Sequence, residues 1–215
     1  MEQTIGVYGG TFDPIHYGHL RPVMDVYEKY QLDHIRFIPS SIPPHRETPN
    51  TSIELRLKLI KAAIETIPAF KLDLREIDRG GKSYMVDTLK HLRQDYPNSS
   101  LALILGLDAF LNLPQWYCWQ ELLQYSHIIV THRPNNELSI DKWPEKIADY
   151  YNQHRTLEKS MLHTSLCGKI FLTEVIQLDI SSSNIRKRIR NKQSIDFLLP
   201  KNVIRLINQH HLYQT

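Results

Sequence analysis

Short apolar runs alternate with stretches of helical spacing along most of the chain. Runs rich in aliphatic and aromatic residues fall at 5–8, 35–39, 70–74, 101–105, 127–131 and 170–172 and read as buried strands. Between them, apolar positions recur three and four apart, which predicts helices over 20–30, 52–67, 86–95, 116–124, 141–154, 183–190 and 201–210. The clearest is 52–67: Thr51 and Glu54 have the spacing of a capping box, Ile53, Leu57, Ile60 and Ile64 share one face, and Pro68 stops it. This alternation predicts an α/β fold, a doubly wound parallel sheet with helices on both faces. A shift in composition after Arg133 and the last two helices predict a C-terminal helical portion, about residues 182–215, within a single domain spanning 1–215.

Composition narrows the partners. With 215 residues and 41% hydrophobic content, the chain can bury one sizeable core. Lys and Arg outnumber Asp and Glu by 26 to 23 but are dispersed, so the net charge of +3 gives no dense basic face for nucleic acid. Small acidic molecules are the expected ligands. Cys118 and Cys167 lie far apart in no metal-ligand spacing, which suits a reducing compartment. No basic segment followed by an apolar stretch opens the sequence, and the longest apolar run, 101–107, falls far short of the ~20 residues of a membrane helix. The expectation is a cytoplasmic protein with no membrane partner, for which homo-oligomerisation stays open.

The chemistry concentrates just after the first strand, in Gly9-Gly10-Thr11-Phe12-Asp13-Pro14-Ile15-His16-Tyr17-Gly18-His19-Leu20. Glycines at a strand end let backbone N–H groups approach a phosphate, and the start of a helix adds the positive end of its dipole. His16 and His19 fall where that helix begins. A Walker loop is excluded, because Glu76 and His163 stand where a glycine must precede Gly81-Lys82 and Gly168-Lys169. No G-x-G-x-x-G occurs, and neither H-E-x-x-H nor paired cysteines support a zinc site at the two histidines.

Gly-Gly-Thr-Phe-Asp-Pro followed by His-x-Gly-His resembles the signature of the nucleotidyltransferase superfamily that shares its fold with class I aminoacyl-tRNA synthetases. At the other end, Ile180-Ser181-Ser182-Ser183-Asn184-Ile185-Arg186 resembles that superfamily's Ile-Ser-Ser-Thr-x-Ile-Arg motif. Pro43-Pro44-His45-Arg46, Ser83-Tyr84, Gly106-Leu107-Asp108, Trp116-Tyr117, His132-Arg133-Pro134 and Leu198-Leu199-Pro200 extend the likeness, most closely to the bacterial nicotinate-mononucleotide adenylyltransferase family. The resemblance implies a Rossmann-like fold and transfer of AMP from ATP to nicotinate mononucleotide. It implies a Mg²⁺ cofactor bound through the ATP phosphates, with no dedicated metal ligands.

By the same resemblance, Gly9, Gly10, Thr11, Phe12, His16, His19, Gly106, Asp108, Arg133, Ser182, Ser183 and Arg186 face ATP, with His16, His19 and Arg186 as the catalytic donors. His45, Arg46, Ser83, Tyr84, Met85, Trp116 and Tyr117 face the mononucleotide. Met85 stands where the family often has threonine, which removes a hydroxyl but not a backbone amide. Of the cluster Arg186-Lys187-Arg188-Ile189-Arg190, helical spacing puts only Arg186 and Arg190 on one face. A phosphopantetheine adenylyltransferase, a nucleotide-binding regulator and a tRNA synthetase fragment are the competing readings. The first shares the histidine loop but does not call for the Trp116-Tyr117 pair; the intact histidines, Arg186 and serine motif disfavour the second; and the lack of a Lys-Met-Ser-Lys-Ser-like loop and of a tRNA-binding domain disfavours the third.

Overall fold

The computed structural model describes residues 2–42, 51–134 and 139–214. Its strands are β1 (Thr4–Gly10), β2 (His34–Pro39), β3 (Phe70–Leu72), β4 (Ser100–Gly106), β5 (His127–His132) and β6 (Ile170–Glu174). They form one sheet in the order β3-β2-β1-β4-β5-β6, and every neighbouring pair is parallel. The helices are α1 (Tyr17–Lys29), α2 (Ile53–Ile64), α3 (Arg75–Arg79), α4 (Met85–Asp95), α5 (Leu107–Leu111), α6 (Leu122–Tyr125), α7 (Glu145–His154), α8 (Met161–Thr164), α9 (Ser182–Arg190) and α10 (Lys201–Gln209). The chain winds outward from β1 to β3, returns to the other side of β1 as β4, and winds outward again. The β1–β4 boundary is therefore the topological switch point, where an open α/β sheet leaves a crevice at the carboxyl ends of its strands.

Strand alternation sorts the apolar side chains into two cores. Ile5 and Val7 of β1, Leu101, Leu103 and Leu105 of β4 and Ile128 and Val130 of β5 meet α4, α5, α6 and α7. On the other face, Ile35 and Phe37 of β2, Ile104 of β4 and Ile129 of β5 meet α1, α2, α9 and α10. Gly6 points to this second face, where a Cβ would stand 2.9 Å from Ile35 Cγ1 and 3.2 Å from Ile104 Cδ1.

Polar side chains tie the outer strands and the lower loops together. Asp73 pairs with Arg36 at 2.8 Å and with Arg75 at 2.9 Å, and Arg36 also lies over the Tyr96 ring. Arg93, at the end of α4, donates to the carbonyls of Ser99 (2.6 Å), Tyr125 (2.8 Å) and Leu166 (2.9 Å), which lie in the segments entering β4, β5 and β6.

The sequence expectations hold for the fold class and need correction in four elements. The strand expected over 70–74 ends at Leu72, because Asp73 turns to its two arginines and the chain enters α3. The helix expected over 52–67 is capped by Ser52, whose hydroxyl accepts from Leu55 N–H, and it ends at Ile64. Its buried face is Arg56, Leu59, Ile60, Ala63 and Ile64, whereas Ile53 is exposed. A helix over 116–124 does not form: a 3₁₀ turn at Leu113–Gln115 ends before it, Cys118 takes φ +49, and the rest of the stretch is a 3₁₀ turn at Trp119–Glu121 followed by α6. The helix over 141–154 is split at Pro144 into a 3₁₀ turn, Ile140–Lys142, and α7.

Candidate active site

β1 ends in Gly9-Gly10 and hands the chain to a tight loop whose backbone is held from outside. Phe12 takes φ +51 and turns its ring back over Gly10, where a Cβ would lie 2.9 Å from the ring. Three of the loop carbonyls accept from side chains of other elements. Arg56, 1% exposed, reaches Thr11 O at 2.8 Å and Ser40 O at 2.9 Å; Arg186 reaches Asp13 O at 2.6 Å; and the Ser182 hydroxyl reaches Pro14 O at 2.9 Å. The Asp13 carboxylate accepts the buried Tyr213 hydroxyl at 2.6 Å, a contact across 200 residues. Burial and that carboxylate push the Tyr213 phenol well above its ordinary range.

His16 caps α1, and its ring stacks on that of His19 with centroids 3.7 Å apart. The His16 N–H donates to His19 Nδ1 at 3.3 Å. An Nδ1 that accepts carries no proton in the neutral ring, so the proton of His19 sits on Nε2. His16 is buried, which lowers its pKa to about 4 and keeps it neutral at ordinary pH. Its Nδ1 has no partner among the described residues. Gly18 sits between the motif and the chain leading into α9: a Cβ there would lie 2.7 Å from Ile180 O and 2.9 Å from His16 Nδ1. The glycine of His-x-Gly-His is thus required by close approach from the far end of the chain.

Beside this motif, a cavity of about 150 Å³ opens at the switch point, lined by Tyr8, Gly18, Pro22, Ile104, Gly106 and Leu178, with Thr131 and Gln177 as polar edges. Its apolar walls and two polar edges suit a flat heteroaromatic group, with the two histidines beside it. A larger depression, about 540 Å³, lies between α1 and the end of β6. It opens to solvent and contains neither glycine turn nor imidazole, so chemistry rather than size locates the site.

Of the other ATP-side expectations, one lines the switch-point cavity. Gly106 lines the cavity, whereas Asp108 is exposed on α5. Arg133 is also exposed and pairs with Asp179 at 3.2 Å. Ser181 caps α9, and Ser183 Oγ accepts from Arg186 Nη2 at 3.4 Å.

The second set gathers across the end of β1. Met85 opens α4 with its methyl group against Gly9, where a Cβ would be only 2.5 Å away. The Tyr84 and Tyr117 rings lie 4.7 Å apart, and Tyr117 is 56% exposed. Trp116 is half-buried against the core under α4 and α5. Ser83 is buried, and its hydroxyl accepts the Ser41 N–H at 2.9 Å. His45 and Arg46 lie outside the described residues.

Sequence reasoning missed Tyr8, Arg56, Thr131, Gln177, Leu178 and Tyr213. Arg56 left a signal, a charged residue among apolar positions of a helix, whereas nothing local marks Tyr213. Among the described residues, no group of three or more His, Cys, Asp or Glu side chains could hold a metal ion, and no helix is long and apolar enough to cross a membrane.

A family model described as cytidylyltransferase-like matches residues 7–188. Among similar sequences, a probable nicotinate-nucleotide adenylyltransferase of Methylococcus capsulatus is 41% identical over 210 residues, covering 97% of this chain and 99% of its own. Another from Salmonella gallinarum is 39% identical over 215 residues and covers 100% of both chains. Among solved structures, Plasmodium falciparum nicotinic acid mononucleotide adenylyltransferase complexed with NaAD aligns with a TM-score of 0.70 at 21% identity, over 99% of this chain and 98% of that one. At that identity the likeness concerns the fold.

Proposed function

The chain belongs to the cytidylyltransferase-like family and, within it, to the nicotinate-nucleotide adenylyltransferases, and from that premise we infer that it transfers AMP from ATP to nicotinate mononucleotide. The products are nicotinate adenine dinucleotide and pyrophosphate, a step of NAD biosynthesis. The observation that carries this reading is the stacked His16–His19 pair at the start of α1, beside the switch-point cavity.

The acceptor's phosphate oxygen attacks the α-phosphorus in line, and the bond to the bridging oxygen of pyrophosphate breaks. No protein nucleophile is needed, so the protein's part is positioning and charge stabilisation. In our reading, adenine occupies the cavity bounded by Tyr8, Ile104 and Gly106, and the triphosphate runs past the start of α1. His19 Nε2–H and His16 donate to phosphate oxygens as charge gathers on the α-phosphate and the leaving group. Arg186 acts twice, fixing the loop through Asp13 O and offering its remaining N–H groups to phosphate. Nicotinate stacks among Trp116, Tyr117 and Tyr84, with its carboxylate near the backbone N–H groups at the start of α4.

The donors at the triphosphate are imidazole, guanidinium and hydroxyl, which suit phosphate oxygens rather than a hard cation, and the Asp13 carboxylate is engaged by Tyr213. These residues fit a Mg²⁺ ion that arrives on the nucleotide and is held by its oxygens; bound there, it would withdraw charge from the pyrophosphate. The free thiols of Cys118 and Cys167 support a cytoplasmic setting.

Pyrophosphate release tests the assignment. With ATP and Mg²⁺, release should require nicotinate mononucleotide, be much weaker with nicotinamide mononucleotide, and be absent with phosphopantetheine. Equal rates without the pyridine nucleotide, or turnover of phosphopantetheine, would overturn it.

A further inference from the structure

The chain beyond α10 takes a strained course. After Gln209 it passes through His211 at φ +49 and Tyr213 at φ +65, left-handed conformations that residues other than glycine rarely adopt. Leu212 N–H returns to Ile207 O at 3.0 Å and closes the turn. The Tyr213 ring is thereby buried, in the core that also holds Phe12, Ile15 and Ile185. Strain of this kind persists only where surrounding contacts hold it, and it gathers at functional sites. A phenylalanine could fill the same space, so the hydroxyl has a purpose apart from packing.

That hydroxyl reaches the loop that carries the histidine motif. It donates to Asp13 Oδ1 at 2.6 Å, and Asp13, itself buried, gives its carbonyl to Arg186 Nη1 at 2.6 Å. Burial and the neighbouring carboxylate keep the phenol protonated, so it is the donor. Among the described residues, Arg56 holds Thr11 by its carbonyl and Ser182 holds Pro14 by its carbonyl. Asp13 is held twice, at its side chain by the segment after α10 and at its carbonyl by the arginine assigned to the triphosphate. Phenol, carboxylate, peptide group and guanidinium form one series of contacts, three residues before His16.

We propose that Tyr213 is a positioning residue for ATP: acting through Asp13, its hydroxyl holds the carbonyl on which Arg186 is seated, and so fixes where Arg186 and His16 meet the triphosphate. The proposal rests on the assignment of Arg186 and the two histidines to ATP. A purely structural tyrosine would lower folding stability and treat both nucleotides alike. A positioning one weakens ATP selectively, because the hydrogen bonds of Asp13 and Arg186 run to Tyr213, Ser183 and each other rather than to the acceptor side.

Steady-state kinetics on the full chain separate the two, with Mg·ATP varied at saturating nicotinate mononucleotide and then the reverse. Tyr213→Phe is expected to raise KM for ATP about tenfold or more, with KM for nicotinate mononucleotide moving by less than about twofold. Asp13→Ala should act in the same direction, and the double variant should be little worse than the worse single one, since both act along one series of contacts. Asp13→Asn keeps an acceptor oxygen for the phenol and should retain most of the wild-type KM for ATP. Arg36→Met breaks the pair with Asp73 toward the β3 edge of the sheet, away from the loop. It should lower the denaturation midpoint and leave both KM values within about twofold.

An unchanged ATP KM in folded Tyr213→Phe, a parallel rise for both nucleotides, full additivity with Asp13→Ala, an Asp13→Asn variant as impaired as Asp13→Ala, or an equal ATP KM rise in Arg36→Met would each overturn the proposal. Should Tyr213→Phe not fold, Asp13→Ala decides, and an unchanged ATP KM there overturns it. Wild-type protein inactive on nicotinate mononucleotide would instead refute the assigned function, which keeps the two failures distinguishable.

Discussion

At the scale of single residues, His19 has its proton placed by its neighbour. Because the His16 N–H occupies Nδ1, His19 presents Nε2–H without having to choose a tautomer. Removing such a preorganised donor typically costs ~10²–10³-fold in rate. His19→Ala is therefore expected to lower kcat by that range with little change in the far-ultraviolet circular dichroism; a folded variant with near-normal turnover would remove His19 from the chemistry. Gly18→Ala tests the adjacent close approach. Its Cβ would stand 2.7 Å from a backbone oxygen, which cannot move away as a flexible side chain could. A loss of about 1–3 kcal/mol is expected in urea denaturation, accompanied by a fall in activity, because the displaced segment leads into Ser182 and Arg186.

At the scale of elements, the loop after β1 is held from outside, because α2, α9 and the segment after α10 each contribute a donor to it. Tyr213→Phe would leave Asp13 Oδ1 buried without its hydroxyl, at an expected cost of about 1–3 kcal/mol, read from the urea midpoint. Arg56→Met removes the donor to two carbonyls at once and is expected to cost more than Tyr213→Phe; an equal or smaller loss would show that water replaces the guanidinium. These elements also show what the sequence made legible. The alternation of apolar runs was sufficient for the sheet and its helical layers, because burial on both faces imposes it. The face of α2 was misread because its core side admits Arg56, whose hydrogen bonds offset the burial of its charge. The stretch 116–124 was misread because a single left-handed residue, Cys118, breaks a pattern that otherwise suits a helix. The glycine-histidine motif could be singled out as a candidate phosphate site from local chemistry, whereas Tyr213 meets Asp13 across a sequence distance that local spacing does not encode.

At the scale of the whole molecule, stability should fall on mild acidification. Burial lowers the pKa of His16, His34 and His127 to about 4 from the ordinary 6.5. His127 shows the cause directly: Lys169 N–H donates to Nδ1 at 3.1 Å and Nε2 meets Ser165 O at 2.9 Å, an arrangement for the neutral ring. The unfolded chain binds protons below pH 6.5 that the folded chain refuses until about pH 4. Stability is therefore complete above the upper value and declines as pH falls through that window. The decline should show as a falling urea midpoint between pH 7 and pH 4.5, and His127→Gln should flatten it by up to about 1.4 kcal/mol per pH unit. A midpoint independent of pH over that range would mean that the rings are protonated in place.

The contact between Asp13 and Tyr213 also sets an order of events during synthesis. The glycine turn and both histidines leave the ribosome early, with β1 already able to seek partners, but the buried hydroxyl that secures their loop follows only 200 residues later. Until then the loop can be held by Arg56, Ser182 and Arg186 but still lacks the donor to its buried carboxylate, so the motif is made well before all of its supports are.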